Sequence, residues 1–203
     1  MSPYTKDSIM DKNPVPHITD EEIVGMTLRE RSSFGFIVER YEAKLGRYIE
    51  RLGIKNKEDQ LDVLQEIFIK AYKNLNSFDK QMSFSAWVYR IAHNEAISWY
   101  RKHNVRPEGH LVADSSEILN LIRSKEETPD VAFDQNVNAE ELNKALSKLD
   151  EKYRQILTLR YFEHLEYDEI SDVLKIPIGS VGTLIHRGKK QLYNELNQDS
   201  LRI

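Results

Sequence analysis

The 203-residue chain contains no cysteine. That absence excludes a disulfide framework, a cysteine-ligated zinc or iron–sulfur site and a thiol nucleophile, and the chain needs no oxidising compartment. Glycine and proline are also scarce, at 8 and 6 residues, together about 7% where an average protein holds about 12%. Few turn-forming residues favour helices over a sandwich or barrel. No run of apolar residues is long enough for a membrane-spanning helix. The first 22 residues carry five acids among prolines and polar side chains, unlike a secretory signal. The expectation is a cytoplasmic protein with no membrane insertion.

Signatures of enzymes are missing too. There is no glycine-rich phosphate loop, no His-Glu-x-x-His helix and no Gly-x-Ser-x-Gly elbow. His93-Asn94-Glu95 has the His-x-Glu spacing of zinc deaminases, but their Pro-Cys-x-x-Cys partner cannot exist without cysteine. The six histidines, at 17, 93, 103, 110, 164 and 186, show no ligand spacing on a shared helix face. No catalytic residue, metal or cofactor is expected, and the chain is read as a non-enzyme.

Charge is plentiful, at 31% of residues, with a net of −4. A negative total argues against a nucleic-acid partner only if the charges are evenly spread, and they are not. The balance is −3 over residues 1–22, +2 over 23–60, +3 over 61–106, −5 over 107–137, −4 over 138–174 and +3 over 175–203. Two basic stretches are thus masked by acidic ones.

Apolar periodicity is helical on both sides of an acidic, Pro-, Gly- and Ser-containing linker at 107–137, which itself has room for a short helix around Ile118–Arg123. Phe34, Ile37, Val38, Tyr41, Leu45, Tyr48, Ile49 and Leu52 form one stripe, and Leu64, Ile67, Phe68, Ala71, Tyr72 and Leu75 another. A third helix follows Ser83, a good N-cap, and runs to about Lys102. Downstream, Leu142, Ala145, Leu146 and Leu149 precede Tyr153, Ile156, Leu157 and Tyr161, then two shorter helices at Tyr167–Leu174 and about Pro177–Leu192. No period-2 run of useful length occurs. The fold class is all-α in two helical domains, with an N-terminal extension over 1–22, a helical bundle over 23–106, the linker, and a second domain over 138–203.

The last two helices have the layout of a helix-turn-helix. On the second, Val181, Leu184, Ile185, Gly188 and Leu192 share an inner face, which leaves Ser180, Thr183, His186, Arg187, Lys189 and Lys190 for the outer ones. Polar residues early and basic residues late is the order of a helix that reads base edges first and meets phosphates afterwards. A surface hairpin with a basic C-terminal end would give the same pattern.

These residues resemble the sigma factors of bacterial RNA polymerase, specifically the small two-domain extracytoplasmic-function (ECF) type. LSKLDEKYRQILTLRYFEHLEYDEISDVLKIPIGSVGTLIHRGKKQL is similar to region 4, LDVLQEIFIKAYKNL to the segment that clamps the coiled coil of the largest polymerase subunit, and SFSAWVYRIAHNEAISWYRK to the segment that opens and reads the minus-10 element. The linker is too short for the extra domain of housekeeping sigma factors. The resemblance implies core RNA polymerase, through coiled coil and flap, and promoter DNA as partners, with an anti-sigma factor clamping the two domain faces. It places Asp62, Gln65, Glu66 and Phe68 at polymerase. It places Asn76, Phe78, Asp79, Lys80, Arg90, Asn94, Arg101 and Lys102 at the minus-10 element, the loop residues around a flipped base. Ser180, Thr183, His186, Arg187 and Lys190 fall at the minus-35 element. Phe68 and Phe78 also suit a core position and a staple. Three positions depart from the family pattern: Ser98 where Asp is usual, Lys175 where Gly is common, and Gly182 where Lys or Arg is frequent. The competing readings are a conventional helix-turn-helix regulator with a dimerising or sensing N-terminal bundle, and a sigma-like domain pair that only sequesters another factor.

Overall fold

The computed structural model describes residues 18–103 and 139–200; most of the N-terminal extension, the linker and its expected short helix lie outside the described residues. Every regular element among the described residues is helical.

Helix α1 (Asp20–Arg29) opens on a capping box in which Thr19 Oγ1 accepts from the Glu22 amide and the Glu22 carboxylate accepts from the Thr19 amide. Its Asp20 takes a charge-assisted bond from Arg40 at 2.5 Å and one from the Tyr41 hydroxyl. Ile23 and Val24 are buried. Residues 18–22, expected to belong to a separate extension, are therefore the anchored start of the first packed helix.

The α2 stripe forms as the periodicity predicts. Over Phe34–Leu52, the side chains of Ile37, Tyr41, Leu45, Tyr48, Ile49 and Leu52 are buried, and Gly53, at φ 118°, ends the helix in the left-handed region. Helix α3 (Lys57–Asn74) is capped by Asn56, whose side chain accepts from the Glu58 and Asp59 amides. Helix α4 (Phe84–Lys102) is capped by Ser83, which accepts from the Ala86 amide at 3.3 Å. Phe84, Val88, Ala92 and Ala96 of α4 close the core against α2 and α3. Each large apolar side chain buried there contributes about 1.5–3 kcal/mol.

The second half comprises α5 (Ala139–Lys148), α6 (Glu151–Leu157), a π-helical turn at Thr158–Phe162, α7 (Tyr167–Leu174) and α8 (Ile178–Ser200). The wide turn alters one expectation: Ile156 and Leu157 are buried, but Tyr161 is 46% exposed, because the extra residue in the turn rotates it off the stripe. Gly188 lets α8 approach α6 closely, since a Cβ there would lie 3.2 Å from Leu157. Helix α8 runs beyond the expected end near Leu192.

The halves touch. Helix α4 packs along α7, and α2 meets α6. Ion pairs cross the seam among the described residues, including Arg51 to Glu163 at 3.3 Å and Arg90 to Asp172 at 2.8 Å.

Candidate nucleic-acid interface

Two helices build the candidate surface on the N-terminal half. Asp62, Gln65 and Glu66 occupy the i, i+3, i+4 positions of one α3 face and are exposed, with Leu61 beside them at 61% exposure. With Ser98 and Lys102 of α4 they line a groove of about 260 Å³. Lys70 of α3 and Glu95 of α4 bridge the same two helices at 2.6 Å. Phe68 does not join this groove: its ring is half-buried, edge-on to Phe34 at 6.5 Å. Its position one step round the helix from the acids decides that.

The loop between α3 and α4 is a tight structure in its own right. Leu75–Ser77 make a single turn of 3₁₀ helix, the Asp79 carboxylate accepts from the Gln81 amide at 3.0 Å, and the Ser77 hydroxyl donates to the Asn74 carbonyl. Asn76, Asp79 and Lys80 are exposed. Phe78 is not: it is 8% exposed, with its ring centroid 5.4 Å from Phe84 and 5.5 Å from Trp87. It staples the loop to the core, so the expectation that it could stack on a base is corrected; a ring packed on two others has no face left for one.

On α4 the expected residues separate by position. Asn94, Arg101 and Lys102 are exposed. Trp99 is half-buried and stacks on His103 with centroids 4.4 Å apart, at the end where the basic residues cluster. Arg90 is partly covered and paired with Asp172. Trp87 and Tyr89 are buried, and the Tyr89 hydroxyl donates to Glu163. His93 is half-buried, 3.2 Å from the Tyr48 hydroxyl, and desolvation pushes its pKa down to about 4, so the imidazole is neutral at physiological pH.

On the second half, α7 and α8 form the helix-turn-helix. Its turn is held by the Ser171 hydroxyl donating to the Ile176 carbonyl at 2.7 Å, and Lys175 adopts φ 56°, ψ 42°. The family's usual glycine at this position has a plain reason: the turn requires a left-handed residue. Val181, Leu184, Ile185 and Leu192 are buried as expected. Thr183, His186 and Arg187 are half-exposed and Lys190 is exposed. Ser180 is fully buried, which corrects its expected outward placement; it lies next to Val181 in the first turn of α8, where the helix enters the core. A Cβ added at Gly182 would lie 3.5 Å from Tyr167, an ordinary contact. Packing therefore does not require glycine there.

The arrangement is two basic, partly polar helical surfaces on separate halves, each backed by an apolar core, with an acidic ledge on α3. Residues 37–106 match the family model for sigma-70 region 2, and residues 139–192 that for sigma-70 region 4. The chain belongs to the ECF sigma factors of the sigma-70 family. It is 34% identical over 172 residues to the ECF RNA polymerase sigma factor SigW of Bacillus subtilis, covering 82% of this chain and 90% of that one. It is 31% identical over 185 residues to the ECF RNA polymerase sigma-E factor of Escherichia coli K12, covering 88% and 95%. Among solved structures, CnrH, determined in complex with the cytosolic domain of CnrY, superposes with a TM-score of 0.63 at 24% identity over 89% of this chain and 98% of that one. The sigma factor RpoE of Bartonella quintana, determined with the anti-sigma factor NepR, gives 0.59 at 19% identity over 81% and 96%. Both likenesses concern the fold. As a sigma factor, the protein gives RNA polymerase its promoter specificity at transcription initiation.

Glu163 is not legible from the sequence pattern. It sits in a polar stretch without periodicity, yet its side chain is 5% exposed and meets Arg51 and Tyr89 from the other half.

Proposed function

We propose that α3 docks on polymerase through Asp62, Gln65 and Glu66, with Ser98 at the groove's edge, and that the α3–α4 loop and the exposed end of α4 handle the minus-10 element. The observation that carries this is the grouping of Asn94, Arg101 and Lys102 on α4, beside a stacked Trp99–His103 pair, one helix away from the exposed α3 acids. Aromatic and basic side chains interleaved in this way suit a single strand, because rings stack on any base while cations follow the backbone. Asn76, Asp79 and Lys80 offer donors and acceptors for a base drawn out of the stack, and binding the displaced base offsets the few kcal/mol its extraction costs.

On the other half, Thr183, His186 and Arg187 face the minus-35 element, and Lys190 meets phosphate. The role of this set is binding: the protein helps to melt DNA by holding the opened strand. The absence, among the described residues, of a helix long and apolar enough to cross a membrane fits a cytoplasmic factor. The surfaces used for polymerase and DNA are also those an anti-sigma factor would cover.

Footprinting of open complexes with permanganate, which oxidises unpaired thymines, tests the division of labour. Asn94→Ala and Arg101→Ala should each cut thymine reactivity at minus-10 about five- to tenfold while protection at minus-35 persists. Arg187→Ala should do the reverse. Equal loss at both elements from every variant would contradict the assignment.

A further inference from the structure

A second concave surface lies outside the residues assigned to promoter and polymerase, where α2 passes the π-helical turn. Lys44, Arg47 and Arg51 stand at i, i+3 and i+7 on α2, so all three leave the helix on one face. With Tyr89 of α4 and with Glu163 and His164 after the turn they line a pocket of about 160 Å³. Lys44 and Arg47 are exposed at its rim, whereas the Glu163 side chain, 5% exposed, lies at its floor. Three cations thus face one carboxylate, which leaves two positive charges uncompensated before His164 is counted.

The carboxylate does not use up these cations. The Tyr89 hydroxyl donates to one Glu163 oxygen, and Arg51 reaches the other with a single nitrogen at 3.3 Å. Arg51 lies over the Phe162 ring, 4.1 Å from its centroid, which fixes the plane of the guanidinium and leaves the rest of its donor fork unspent. Lys44 rests over the Tyr41 ring, 5.2 Å from the centroid. Arg47 is close enough to repel Arg51 and to attract Glu163, yet makes no direct hydrogen bond to the carboxylate. Like charges held together around a recess carry a repulsion that an anion between them removes. Ser85 adds a hydroxyl donor to the wall. The chain leaves the pocket through His164 at φ 57°, and uncommon backbone of this kind collects at ligand clamps.

We infer that this pocket binds a small molecule ending in a phosphoryl group. A terminal phosphate brings about 1.5–2 negative charges and three acceptor oxygens, which matches the two uncompensated positive charges and the donors of Lys44, Arg47 and Arg51. The arginine fork meets phosphate oxygens in pairs, and lysine supplies a point charge beside it. A phosphodiester within a strand fits less well, because it carries one charge and is flanked by sugars on both sides, whereas the pocket is a recess with a covered floor. Glu163 opposes the ligand's charge, but its bonds to Tyr89 and Arg51 turn it toward that floor, so it orients the arginine from behind.

Isothermal titration calorimetry of the full-length chain with inorganic pyrophosphate, at constant ionic strength, tests the site. Pyrophosphate should bind saturably, once per chain. Lys44→Ala and Arg47→Ala should each weaken it about tenfold, the loss of one charge-assisted contact. Lys73→Ala, which makes the same charge change at an exposed position of α3, should leave it unchanged. Arg47→Lys, which keeps the charge and loses the fork, should recover part of the affinity. Circular dichroism checks that each variant keeps its helices, and both rim residues are exposed, so their removal leaves the core intact. An oligothymidine with a 5′-hydroxyl end should not displace pyrophosphate. The absence of saturable binding, equal losses from Arg47→Ala and Lys73→Ala, or displacement by the oligothymidine would overturn the inference, the last by assigning these cations to a strand. None of these readouts uses polymerase or a promoter, so they stand apart from the test of the promoter assignment.

Discussion

At the scale of single residues, two of the three glycines of the recognition helix have opposite reasons to exist. Gly188 is a packing glycine: a Cβ would press on Leu157 and on Tyr153 at 3.2 and 3.3 Å, so Gly188→Ala should lower stability by about 1–3 kcal/mol, as overpacking does. At Gly182 the same Cβ finds ordinary space. Gly182→Ala should therefore raise stability by about 0.5–1 kcal/mol from helix propensity; chemical denaturation of both variants checks the opposite signs. If Gly182 exists to bring backbone close to the minus-35 duplex, the stabilised variant will still initiate less well. Ser180 supplies a further contrast. Its hydroxyl is buried without a hydrogen-bond partner among the described residues, so Ser180→Ala should be neutral or stabilising and should leave promoter choice unchanged.

At the scale of elements, the N-terminus of α6 carries an unusual carboxylate. Glu151 is 2% exposed, accepts from the Gln155 side chain at 2.6 Å, and burial raises its pKa from 4.5 to about 7 despite the nearby Arg154. The folded state thus holds this proton more tightly than the unfolded chain. The stabilisation it brings is complete below about pH 4.5 and is lost as pH rises through about 7. His93 works in the opposite sense, since its lowered pKa costs stability as pH falls from 6.5 toward 4, so the parent's own profile mixes the two. The difference between Glu151→Gln and the parent isolates the carboxylate. Urea unfolding should show the variant gaining on the parent from about pH 5 to pH 8 by on the order of 1–3 kcal/mol; a constant difference would contradict the shift. Elements also mark where sequence reading succeeds. The stripes of α2, α3 and α4, the Ser83 cap and the bounds of α7 were legible because burial there follows a 3.6-residue period. The Thr19–Glu22 capping box is equally present in the sequence, but no long apolar run follows it to mark a helix. The π-helical turn was not legible, because a continuing stripe looks the same until one residue is added to a turn, and only packing decides that addition.

At the scale of the whole molecule, the net charge of −4 is the sum of surfaces with different tasks. A chain of this kind gains little from general attraction to phosphates, so it should bind duplex weakly when alone and depend on polymerase to align two basic patches at once. Lys190→Ala should weaken DNA binding by the holoenzyme about equally on all promoters and reduce the salt dependence by about one counterion, measured as the slope of affinity against salt. The candidate site divided along the same lines as the fold. Exposed polar and basic residues such as Asn94 and Lys190 are readable from periodicity and family likeness, whereas Ser180, set outward by the helical face pattern, and Phe78, open to either a stack or a staple, turn inward where helix and loop enter the core. Contacts between halves, Glu163 above all, depend on sequence positions far apart and leave no local trace. The most direct test of the central claim is run-off transcription with the purified chain and core polymerase on a library of genomic fragments. The account predicts initiation from a limited set of fragments sharing two boxes upstream of their start sites, and none without the chain. Tight binding to a palindromic duplex in the absence of polymerase, with no initiation from any fragment, would contradict it.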